Sequence, residues 1–106
     1  MGEFSMNIQV TYLRALNNVT QELKIEKEKL RGGQDSLWTL DALMTVVQPE
    51  FKQLLIFASK GEVFFKYGSD HRQLESTVFI LSSPEELSKT DLAKSILEFQ
   101  DLYNSL

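Results

Sequence analysis

A stripe of apolar residues, Tyr12, Leu16, Val19, Leu23 and Leu30, stopped by Gly32-Gly33, constrains this chain more than any other feature in it. Steps of four and three residues place these side chains along one side of a helix, and a stripe of that kind has to be covered by another apolar surface. Its gap falls at Glu26, between Leu23 and Leu30, which speaks against an unbroken dimeric coiled coil over the last turns. From about Asn7 to Arg31 the residues are strong helix formers, and Gln21 to Arg31 mixes charges as a solvated face does. A long helix over 7–31 is predicted. Two covers for its stripe stay open: the core of its own domain, or a helix of another chain.

Gly32-Gly33-Gln34 breaks the pattern, after which Asp35 or Ser36 is placed to cap a second helix with Leu37, Leu40, Leu43, Met44 and Val47 as its apolar residues. Pro49 ends that helix or opens a new turn. Trp38 falls off the stripe and is expected to be buried, since large aromatics are mostly core. Near the other end, Ser83-Pro84-Glu85-Glu86 combines an N-cap, a proline at the first helical position and acidic residues where a capping box has them. Thr90-Asp91 offers a second start, followed by Leu92, Ile96, Phe99, Tyr103 and Leu106, again four and three apart.

Between these helices the texture changes. Eight of the eleven aromatic residues lie beyond position 50, and β-branched and aromatic residues gather in short runs, which is the habit of strands. Leu54 to Ser59, Val63 to Tyr67 and Thr77 to Leu81 read as a three-stranded antiparallel sheet, the first pair joined through Lys60-Gly61. The first strand has a rival: Phe51, Leu54, Leu55 and Ala58 also fit helical spacing, with Pro49 in the first turn. The expected fold is therefore α+β: a long N-terminal amphipathic helix, a second helix, the small sheet and a C-terminal helix, all in one domain over 6–106. Met1 to Ser5 reads as a cloning remnant, because Glu3-Phe4 matches a common cloning site and a second methionine follows at Met6.

Composition narrows the function classes. Eleven basic against fifteen acidic residues give a net charge of −4, which disfavours nucleic-acid phosphates. The absence of cysteine removes disulfides, thiol nucleophiles and cysteine-ligated metals. No apolar run approaches the roughly 18 residues of a membrane span, and the N-terminus lacks a secretory layout, so a cytoplasmic protein without membrane contact is expected. Asp70-His71-Arg72 is the only cluster a catalytic reading can use, and a solvated turn explains it better, because neighbours in sequence rarely converge on one reactant. No metal, cofactor or catalytic residue is expected. An aromatic pocket of Phe57, Phe64, Phe65 and Phe79 is a further alternative, weaker than the reading of these residues as core.

Asn7 to Arg31 carries five bases and three acids, net +2, and Pro84 to Leu106 two bases and five acids, net −3. Opposite signs favour packing of the two terminal helices on each other, within a chain or across a dimer. The expectation is a non-enzymatic protein–protein interaction module or adaptor, a homodimer or heterodimer. Its partner-binding residues would be Tyr12, Leu16, Val19, Leu23 and Leu30, with Leu92, Ile96, Phe99 and Tyr103 opposite. The alternative is a small acidic inhibitor or chaperone-like protein that docks on a larger target, by an acidic face or the edge of the sheet.

Overall fold

The computed structural model describes the backbone of residues 2–59 and 73–105, and the side chains of residues 10–58 and 73–105. The described residues form six α-helices and one π turn: α1 (Gly2–Arg31), α2 (Leu40–Ala42), the π turn (Leu43–Val47), α3 (Gln48–Ser59), α4 (Glu75–Leu81), α5 (Glu85–Ser88) and α6 (Asp91–Asn104). There is no strand among the described residues, which form an all-α fold, and the α+β expectation is corrected. Leu54 to Ser59 belongs to α3, as the rival helical spacing allowed, and Thr77 to Leu81 belongs to α4. Val63 to Tyr67 lies outside the described residues.

The largest interface joins α1 to α6. They run antiparallel: Tyr12, early in α1, meets Phe99, late in α6, with ring centroids 5.2 Å apart. At the other end, Glu26 and Lys29 share a cleft with Thr90 and Asp91. The two four-three seams thus cover each other inside a single chain. That order also sets the last turn of α1, with Lys29 and Arg31, beside the first turn of α6, with Asp91, where each charge opposes the dipole of its helix end.

Gly32-Gly33 ends α1 as the sequence suggests. Gly33 takes φ 77°, a left-handed conformation open to glycine, which lets Gln34 N–H reach the Lys29 carbonyl at 2.9 Å and Gly33 N–H the Leu30 carbonyl at 3.2 Å. The gap in the seam also has its explanation here. Glu26 is buried, and its carboxylate accepts from the Ser36 hydroxyl at 2.5 Å and from Lys29 Nζ at 3.4 Å. Ser36 Oγ in turn accepts from Trp38 N–H at 3.1 Å, so the seam's one charged member fixes the returning loop.

The second helix starts later than expected. Thr39, rather than Asp35 or Ser36, caps it, accepting from Ala42 N–H at 3.1 Å. Pro49 does not stop it. The turn just before is widened, with Gln48 N–H bonded to the Leu43 carbonyl five residues back, and this lets the chain pass a residue that has no N–H and crowds the preceding turn. Ala42, Leu43, Val47, Phe51 and Leu54 face the core, whereas Leu37, Leu40 and Met44 face out.

Helix α4 overrides its local β preference through contacts from afar. Both oxygens of the Glu50 carboxylate accept from its first free amides, Glu75 N–H and Ser76 N–H, each at 2.8 Å. Gln100 Oε1 accepts from Leu74 N–H at 2.7 Å. Ser76, Thr77 and Ile80 are buried, at the spacing of one helix face. The capping box expected at Ser83 does not form: its hydroxyl donates to the Phe79 carbonyl at 2.7 Å, and Pro84 flanks the short α5. Thr90 does cap α6, accepting from Ala93 N–H at 3.3 Å.

Leu16 is wholly enclosed, so Leu16→Asp places an unpaired carboxylate in the core and should abolish the cooperative unfolding transition seen by circular dichroism. Glu50→Ala strips α4 of its cap and should lower stability by about 1–2 kcal/mol in denaturant titration, with the fold retained.

Candidate functional site

The nine residues expected at a partner interface lie inside this chain. Tyr12, Leu16, Val19, Leu23, Leu92, Ile96, Phe99 and Tyr103 are buried in one core cluster, and Leu30 packs half-buried against it. Phe99 sits among three other rings, with centroids 5.2 Å from Tyr12, 5.3 Å from Phe51 and 6.1 Å from Tyr103. Their contacts are with one another and with other core residues of the same chain, Phe51 among them. The expected aromatic pocket is not assembled among the described residues either: Phe79 stacks on Trp38, Phe57 rides half-buried on α3, and Phe64 and Phe65 fall outside them. Asp70-His71-Arg72 also falls outside.

The surfaces that remain open are clefts between helices. The first is built around Trp38, whose indole N–H donates to Thr90 Oγ1 at 3.0 Å while its ring stacks on Phe79 at 5.7 Å. Holding Trp38 inward turns its neighbour Leu37 outward. Leu37 and Phe79 then wall a cleft of about 290 Å³ with Thr39, Ser83, Pro84, Glu86 and Leu87, and Glu86 is its sole charged lining residue. Apart from the cleft lining, Leu40 and Met44 are exposed on α2 and the π turn, and Val78 and Leu81 on α4. Leu37 is 60% and Leu81 61% exposed, high for leucine. Nothing in the local sequence marks this face, because Leu37, Leu40 and Met44 fit the same stripe as the residues that are buried.

A second cleft, of about 340 Å³, runs between α1 and α3 over Leu23, Phe51 and Leu55, with Lys24, Lys27 and Lys52 along its banks. Lys27 Nζ donates to Gln48 Oε1 at 2.6 Å, tying the two helices together. A third is polar and includes Glu26, Lys29, Asp35, Lys89 and Asp91. No group of three or more histidine, aspartate or glutamate side chains able to hold a metal ion occurs among the described residues. No helix among them is long and apolar enough to cross a membrane.

Inside the core, the Ser76, Thr77 and Tyr103 hydroxyls are buried without a hydrogen-bond partner among the described residues. Burial pushes the Tyr12 phenol up from 10.0 to about 12, and the neighbouring Tyr103 adds to this. No family model matches the chain, and no curated protein and no solved structure matches it.

The displaced Tyr12 titration gives a pH signature. Below pH 10 the phenol is protonated in both states and contributes no pH dependence. Between pH 10 and about 12 the unfolded chain releases this proton and the folded chain holds it, so stability falls. Denaturant unfolding at pH 9 and pH 11 should show the native protein losing more stability than Tyr12→Phe over that interval.

Proposed function

We propose that this chain is a non-enzymatic protein–protein interaction module that self-associates, in the cytosol, through the apolar cleft walled by Leu37, Phe79 and Leu87. The supporting observation is the cleft itself: Leu37, 60% exposed, walls it with Phe79, Pro84 and Leu87, and Glu86 is its sole charged lining residue. An isolated exposed leucine is ordinary on a protein surface, whereas a leucine that walls an apolar cleft has the character of an interface core.

The electrostatics favour a second copy as the occupant. A chain of net charge −4 repels itself on approach, and that repulsion is weakest where a face lacks charge. This cleft has Glu86 alone among its lining residues. Two copies related by a two-fold axis bring the same patch onto itself and cover both at once. This reading moves the interface from the terminal seams, which are occupied within the chain, to the opposite side of Trp38.

Sedimentation equilibrium from low to high micromolar protein should reveal a monomer–dimer equilibrium for the native chain. Leu37→Asp should be monomeric throughout, with its thermal unfolding little changed because the site is already largely solvated. A native chain that stays monomeric over the whole range overturns the proposal.

A further inference from the structure

We infer that the cleft between α1 and α3 is a docking groove for an acidic amphipathic helix of a partner protein. The groove reverses the sign of the molecule. In a chain with fifteen acidic and eleven basic residues, its lining holds three lysines and no carboxylate. Lys24 and Lys27 stand on the α1 bank and Lys52 faces them from α3. Among the described residues neither Lys24 nor Lys52 has an ion-pair partner, so their charges are not spent internally.

The floor is apolar and graded in depth. Leu23 and Phe51 are buried and Leu55 is partly exposed, so apolar surface lies open between the two helices. Apolar floor and cationic banks together match one ligand geometry. A helix with apolar residues three and four apart settles that stripe on the floor, and carboxylates flanking the stripe then reach the lysines on either side. From Thr20 to Lys27 the groove runs about 10 Å, two helical turns, so it engages a short stretch of the partner. Flexible lysine stems accommodate carboxylates over a range of positions, which suits a peptide recognised by pattern more than by exact sequence. This groove lies apart from the apolar face around Leu37, and its occupancy does not depend on self-association.

The test uses the full chain and three probes in calorimetric titration. One is a helix-forming peptide of about four turns with leucines along one stripe and glutamates on both flanks. The second carries lysines in place of those glutamates. The third is octanoate. The acidic peptide should bind saturably, with affinity that falls as salt rises because exposed charges are screened. The basic peptide and octanoate should not bind. Lys24→Glu/Lys52→Glu should weaken the acidic peptide by about tenfold or more, with Lys24→Gln/Lys52→Gln intermediate. Both lysines are exposed, so unchanged thermal unfolding separates loss of binding from loss of fold. Equal binding of the two peptides, binding of octanoate alone, or indifference of the acidic peptide to the charge-reversed variant would each overturn the inference.

Discussion

Phe99 is the point at which the rest of the fold meets. Its ring touches Tyr12 from α1, Phe51 from α3 and Tyr103 from its own helix, so three helices are held by one set of ring contacts. Aromatic rings bury large apolar area and prefer tilted or edge-on arrangements, which fixes the relative orientation of the helices as well as their closeness. Once α1 and α6 lie antiparallel around this ring, their seams are matched along their length, and α3 fills the remaining side.

Polar contacts then set the details that apolar packing leaves free. Glu26 would be an expensive member of a buried seam if unpaired, and its bond to Ser36 turns it into an anchor for the loop that delivers Trp38. Thr90 is a second junction: its hydroxyl accepts from the Trp38 indole and from Ala93 N–H, and donates to the Leu87 carbonyl at 2.7 Å. Glu50 and Gln100 bring α4 under control of α3 and α6. The open surfaces are consequences of these choices. Trp38 turned inward exposes Leu37, and α3 laid against α1 leaves the lysine-banked groove between them.

The two surfaces proposed for recognition differ in physical character. One is an apolar cleft with a single charged lining residue, and the other offers cations over an apolar floor. Their chemistries differ enough that a single molecule can use them for different occupants. Like copies meet best where charge is lowest, and an acidic segment is attracted where the molecule's own sign is reversed.

What the sequence determined by itself are the features set by neighbours within a few turns. The two seams, the glycine stop at Gly33 and the Thr90 cap are local, because helix periodicity and terminal hydrogen bonds involve residues three to five apart. Even the opposite charges of the terminal helices were legible, though not whether they meet within one chain or across two. Only the tertiary structure decided that the seams cover each other, since the same stripe serves a core or a partner equally well. It also decided that Thr77 to Leu81 is helical, because the Glu50 carboxylate that caps it comes from 25 residues away, and burial of Ser76, Thr77 and Ile80 on one face outweighs β propensity. The clefts were illegible for the same reason: each is a space between elements distant in sequence, and a space of that kind has no pattern along the chain.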